Sequence, residues 1–384
     1  MAMRLEDLST PALLLDRTRL AENCAAMRQR MQGHGVALRP HLKTAKSTAV
    51  AREATGGADG PWGGAITVST LAEARYFAAE GWRDITYAVG LAPSRLAEAA
   101  DLVSQGVRLT LLTDNSACVE AAASFREAGA PELRFLVEVD CGGRRGGVEP
   151  ESPELIAVAR AIHERPGLSL AGVLTHAGQS YHASGPDALR RVAEEERAAV
   201  VRAADRLRSA GLPCDTVSAG STPTAVHAAS LEGVTEMRPG VYVFFDLDQV
   251  GIGSCDMSDL ALSVIATVIG HNRRAGRILI DAGGLALSKD NSAREFLANA
   301  GYGLVCGLSD AAPIDGLYVA EVHQEHGLIA AVTGEPPFEA FPLGRKLRIL
   351  PNHACMTAAA HEAYWVTDGS GSVIARWERV NGWG

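Results

Sequence analysis

The stretch Arg39-Pro40-His41-Leu42-Lys43-Thr44-Ala45-Lys46 carries four basic or titratable side chains in eight residues, at the exit of a strand-like run that begins at Ala37. Alternate side chains of a strand share a face, so Arg39, His41 and Lys43 are expected on one side and Pro40 and Leu42 on the other. A solvated polar face would carry no message. Turned into a barrel, the same three groups would be unfavourable unless an anionic ligand or a covalent partner accounted for them. The strands around the stretch decide which case holds.

Counting outward from Ala37, strand-like runs fall at 37–41, 65–68, 85–88, 109–113, 133–139, 168–175, 216–219 and 234–238, most of them separated by segments with helical apolar spacing. Thr70 and Glu73 are spaced as a capping box at the start of one such helix. Eight alternating strand and helix units predict a closed parallel (β/α)8 barrel over residues 13–245. After Phe244-Phe245-Asp246 the texture changes to short runs at 262–270, 277–281, 317–321, 328–332, 347–350, 364–367 and 373–377, punctuated by Gly, Pro, Asn and Asp turns. A mainly β second domain over 246–384 is expected.

A length of 384 residues, 21% charged and 47% hydrophobic, is that of an ordinary two-domain globular chain. The formal charge of -9 and the lack of a long basic run argue against nucleic acid or an anionic membrane surface as partner. The first residues lack the pattern of a secretory signal, and no run is long and apolar enough for a membrane span. Seven cysteines without a dense framework predict reduced thiols and a cytoplasmic location. Of these, Cys24, Cys118, Cys214, Cys255 and Cys306 read as small buried hydrophobes.

Active sites of parallel barrels form just past the C-terminal ends of the strands. On that rim the sequence places Lys43 after the first strand, Asp140 to Gly147 after the fifth, His176 to Tyr181 after the sixth, Gly220 to Thr224 after the seventh and Tyr242 after the eighth. The segment Gly220-Ser221-Thr222 suits close backbone approach to a phosphate, or else an ordinary hydroxyl-rich cap. Arg145 could pair with a cofactor phenolate or a substrate carboxylate, or be a solvated loop residue. His176 and Tyr181 are candidates to line a ring, or to be structural. The hypothesis that joins them is pyridoxal phosphate held covalently on Lys43, with Arg39 and Arg145 as neighbouring cations that favour its neutral amine. Lys46 falls out of register and reads as a bystander.

In the second domain, Pro351-Asn352-His353-Ala354-Cys355 places an imidazole and a thiol two residues apart in an extended-looking segment, a pair that suits Zn²⁺ better than harder cations. Two protein ligands leave coordination positions open. His361 and the run His323-Gln324-Glu325-His326 are weaker candidates.

In order, Arg39 to Thr44, Val68-Ser69-Thr70-Leu71-Ala72-Glu73-Ala74, Leu174-Thr175-His176-Ala177-Gly178, Gly220-Ser221-Thr222-Pro223-Thr224, Glu325-His326-Gly327 and Pro351 to Cys355 resemble the D-serine dehydratase and D-threonine aldolase family along nearly the whole chain. The resemblance implies an alanine-racemase-like fold whose C-terminal β domain also takes in residues 1–12, and a homodimer. It implies pyridoxal phosphate on Lys43, Zn²⁺ or another divalent cation on His353 and Cys355, and a D-3-hydroxy amino acid as substrate. The aldolases of the family typically show His-x-Asp where this chain has His353-Ala354-Cys355, so dehydration to a 2-oxo acid and ammonia is expected. Aldol cleavage to glycine and an aldehyde is the alternative within the family, and a non-catalytic pyridoxal-phosphate carrier the alternative outside it.

Overall fold

The computed structural model describes residues 3–57, 64–127, 129–143, 145–309 and 312–383, with nothing said of the side chains of residues 126 and 127. The chain divides into two compact units, one of residues 26–240 with 382–384 and one of residues 1–25 with 241–381.

In chain order the strands are β1 (Ala12–Asp16), β2 (Ala37–Leu38), β3 (Ile66–Val68), β4 (Asp84–Gly90), β5 (Arg108–Thr113), β6 (Leu133–Val139), β7 (Leu168–Thr175), β8 (Thr216–Ala219), β9 (Glu236–Met237), β10 (Leu262–Asn272), β11 (Arg277–Ile280), β12 (Leu304–Cys306), β13 (Pro313–Val322), β14 (Gly327–Ala331), β15 (Lys346–Leu350), β16 (Ala363–Thr367) and β17 (Val373–Glu378). The helices are α1 (Arg17–Gly33), α2 (Thr48–Thr55), α3 (Leu71–Ala79), α4 (Leu96–Ser104), α5 (Ser116–Glu127), α6 (Pro153–Glu164), α7 (Pro186–Ser209), α8 (Thr222–His227), α9 (Leu247–Ile252), α10 (Gly284–Leu287) and α11 (Ala354–Ala358).

In the first unit, β2 to β9 pair in the order β2-β9-β8-β7-β6-β5-β4-β3, all parallel. The two ends meet through a parallel bridge between His41 and Thr67, in which Thr67 donates its N–H to the Pro40 carbonyl and accepts from Leu42 N–H on its own. That closes the expected barrel. Gly172 permits one tight approach in it: its φ is +142°, and a Cβ there would lie 2.0 Å from the Thr216 carbonyl oxygen of the neighbouring strand.

The stretch that opened the reading departs from its expectation. Regular pairing stops at Leu38, and Leu42 to Ala45 form a turn rather than a strand. Arg39 precedes that turn, and its backbone N–H still meets the Met237 carbonyl after β9. Its guanidinium is held between Glu236 (2.7 Å) and Asp84 (2.9 Å), and these two carboxylates outweigh burial in keeping it charged. Thr70 caps α3 by accepting from Glu73 N–H, but the Glu73 carboxylate takes the Ser69 N–H instead of completing the box on Thr70.

In the second unit, nine strands pair in the order β11-β14-β13-β12-β15-β10-β1-β16-β17. A further β10–β11 pairing closes six of them into a ring, and β1 extends it, antiparallel to β10 and parallel to β16. The short β12 has no counterpart in the sequence reading. Four of the five cysteines expected inside are buried, whereas Cys255 is half-buried, and among the described residues no two cysteines form a disulfide. Among the described residues, no helix is long and apolar enough to cross a membrane.

Candidate active site

Because the eight barrel strands are parallel, the segments that follow them gather at one rim, and the first unit brings most of the candidate residues there. Lys43 lies in the turn after β2, half-buried, and its backbone N–H reaches His41 Nδ1 at 3.5 Å. His41 Nε2 pairs with Ser69 Oγ at 3.5 Å. Burial, then the charges of Lys43 and Arg238, push the His41 imidazole well below its ordinary range. His176, after β7, donates Nδ1–H to the Gly220 carbonyl at 3.0 Å. Burial and then Lys43 push it down to about 3, so it is a neutral imidazole whose Nε2 is a buried acceptor with no partner among the described residues. The Tyr181 ring lies 6.2 Å from that of His176. Arg145 is exposed on the loop after β6 and close enough to add to the field at His176.

Gly220 adopts φ +118°, and a Cβ on it would come within 2.9 Å of Arg238 N. The hydroxyls after it are largely spent on the loop itself: Ser221 Oγ accepts from Thr224 N–H, Thr224 Oγ1 accepts from Ser221 N–H, and Ser221 Oγ meets Ser180 Oγ at 2.9 Å. The cap reading accounts for these hydroxyls, and the cap fixes the backbone that an anion would meet.

Two residues of this rim escaped the sequence reading. One is Arg238, which shares the field of Glu236 with Arg39. It is 4% exposed, donates to Ser218 Oγ at 2.6 Å and to the Thr175 carbonyl at 2.6 Å, and burial pushes it down to about 10. Its place as the last residue of a predicted strand was the available signal. Glu196, on α7, accepts from Ala177 N–H at 2.7 Å; only its position in an apolar stripe could have marked it. Lys46 pairs with Glu73 at 3.2 Å. A lysine beside two neutral imidazoles, an unpartnered buried acceptor and a glycine-opened loop fit pyridoxal phosphate.

The second unit holds the other cluster. Backbone bonds from Leu247 N–H to the Pro351 carbonyl and from Asp248 N–H to the Asn352 carbonyl run the two segments side by side. Asp246 fastens both helix starts, accepting from Gln249 N–H on α9 at 3.0 Å and from Ala354 N–H on α11 at 2.8 Å. His353 is extended, as read, and forms the N-cap of α11, whereas Cys355 lies in the first helical turn; the two side chains are hydrogen-bonded. Ligand atoms of Asp248, Asp290 and His353 lie within 4.8 Å of one another. His353 Nδ1 donates to Asp290 Oδ2 at 2.7 Å, and Ser292 Oγ joins Asp290 (2.7 Å) to Asp248 (2.6 Å).

Despite burial, which opposes its charge, Cys355 and Asp290 push the His353 imidazole up to about 12, while burial and then Asp246 raise Asp248 to about 7. Asp248 Oδ1 is buried without a partner. An excess of anionic donors around one imidazole, with an open acceptor, is the donor set that a divalent cation neutralises. Neither aspartate was read from the sequence. His361 is otherwise engaged, on the Ala286 carbonyl, and Tyr242 is fully buried in this second unit.

Among known proteins, a family model for the N-terminal domain of alanine racemase matches residues 15–248, and one for the serine dehydratase domain matches residues 261–367. The chain is 47% identical, over 98% of its length and 98% of the relative's, to D-threo-3-hydroxyaspartate dehydratase of Delftia sp. (strain HT23). The chain belongs to the D-serine dehydratase and D-threonine aldolase family. Members of that family are pyridoxal-phosphate enzymes with the alanine-racemase-like fold, as the motifs implied. A D-threonine aldolase of Arthrobacter sp. is 31% identical over 96% of this chain and 91% of its own. The solved structure of a cysteine-to-alanine variant of D-threo-3-hydroxyaspartate dehydratase in the metal-free form superposes with a TM-score of 0.94, at 47% identity over 99% of this chain and 100% of that one.

Proposed function

We propose that this chain is a pyridoxal-phosphate- and zinc-dependent dehydratase of D-3-hydroxy amino acids, D-threo-3-hydroxyaspartate or D-serine, acting as a cytoplasmic homodimer. The near-full-length likeness to the Delftia dehydratase carries the reading. Lys43 is the covalent attachment point and, once released, moves the proton at Cα. When bound, pyridoxal phosphate supplies a sink for the electrons left at Cα, and a divalent cation supplies Lewis acidity that eases departure of the β-hydroxyl. His176 and Tyr181 line the ring, Arg145 meets a cofactor or substrate oxygen, and Gly220, Ser221 and Thr222 receive the phosphate. Tyr242 is a further cofactor contact, and His353 and Cys355 hold the cation. Loss of water across Cα–Cβ gives an enamine, which water hydrolyses to a 2-oxo acid and ammonia.

A thiol beside the imidazole of His353 suits zinc and supports dehydration. The likeness to a D-threonine aldolase supports the second reading, cleavage to glycine and an aldehyde. Wild-type protein incubated with pyridoxal phosphate is expected to gain a visible absorbance band and to release ammonia from D-3-hydroxy amino acids, and Lys43→Ala to lose both. A band that survives in Lys43→Ala refutes the assignment of Lys43, and a band with no turnover of any such amino acid favours a carrier.

A further inference from the structure

Glu196 interrupts the buried face of α7. Leu189, Val192, Val200 and Leu207 line that face, and helical spacing puts an apolar residue where Glu196 stands, 1% exposed. A carboxylate is tolerated in such a place only when donors satisfy it. Here the donors come from two loops: Ala177 N–H after β7, and Gly220 N–H and the Thr224 hydroxyl after β8. A second tie, Ser180 Oγ to Ser221 Oγ at 2.9 Å, joins the same loops. The Gly220 carbonyl in turn accepts from His176, so one peptide segment is held from both sides.

We propose that Glu196 is a positioning residue for the cofactor's phosphate subsite, fixing the loop from Gly220 to Thr224 against Ala177 in the conformation that receives the phosphate. The proposal rests on reading that loop as the phosphate element. The carboxylate does not itself meet the anion; it commits the Gly220 N–H and the Thr224 hydroxyl to the protein, and so decides which part of the loop backbone is presented.

Pyridoxal and pyridoxal phosphate differ only at the phosphate, and their relative affinity isolates this effect from general loosening of the fold. Cofactor-stripped wild-type and Glu196→Gln full-length proteins would be titrated with each, following absorbance and fluorescence. The amide keeps the shape but replaces one acceptor with a donor that faces N–H groups. The Kd for pyridoxal phosphate is expected to rise about tenfold or more, and that for pyridoxal to change by less than about twofold. Equal loss for both ligands, or no loss, overturns the proposal. Should Glu196→Gln fail to fold, Glu196→Asp, which keeps the charge but shortens its reach to the two loops, is judged by the same ratio. A wild-type protein that binds pyridoxal as tightly as pyridoxal phosphate sinks the phosphate-loop reading itself, whatever Glu196 does.

Discussion

Lys43 and Lys46 lie three residues apart, and their surroundings separate their roles. Lys46 neutralises Glu73, a carboxylate 1% exposed that also serves the Ser69 N–H. Lys46→Ala should therefore lower stability by about 1–3 kcal/mol in urea unfolding, with the visible cofactor band kept. A lost band would return Lys46 to the site. In the second unit, Asp290 holds His353 by Nδ1, which leaves Nε2 as the nitrogen for a cation. Asp290→Asn should weaken metal affinity roughly 10- to 100-fold in chelator competition, because such partners fix ring orientation and basicity. An unchanged competition curve would show that Asp290 plays no such part.

At the scale of elements, Arg39, just past β2, is paired with Glu236 on the adjacent β9 and with Asp84 on β4. Truncation to Arg39→Ala leaves both carboxylates in the barrel, and a loss of roughly 3–5 kcal/mol is expected by denaturant unfolding. A loss under about 1 kcal/mol would mean the pair is solvated. Sequence periodicity made the eight barrel strands legible because most are apolar runs bounded by turn residues, such as Ile66–Val68 and Leu133–Val139. It failed where a strand was presumed to continue. The strand read over 37–41 pairs as a ladder only at Ala37–Leu38, and the chain turns from Leu42. The same presumption made Cys355 look extended like His353. Leu304–Cys306 was missed because three residues between glycines carry no period, and Asp248 and Asp290 because an acidic residue in a turn-rich segment looks solvated until another segment is laid beside it.

At the scale of the whole molecule, two imidazoles held neutral on the barrel rim give the cofactor-free protein an acid sensitivity. Burial pushes His176 down to about 3 and His41 well below its ordinary value, whereas the unfolded chain protonates both near their ordinary value of 6.5. Below that value the unfolded state binds more protons, so this part of the stability is whole above about pH 7 and is lost progressively as pH falls towards the folded values. Between about pH 7.5 and pH 5.5 each imidazole should contribute on the order of 1 kcal/mol to the loss, and His176→Phe should remove one share. An unaltered slope in that variant would contradict the neutral assignment. Product analysis tests the proposed metal-dependent dehydration most directly. Holoenzyme supplied with D-threo-3-hydroxyaspartate, D-serine and D-threonine, with and without a chelator, should yield a 2-oxo acid and ammonia in equal amounts from at least one of the three and stop when the metal is removed. Glycine as the main product, or turnover indifferent to the chelator, would contradict it.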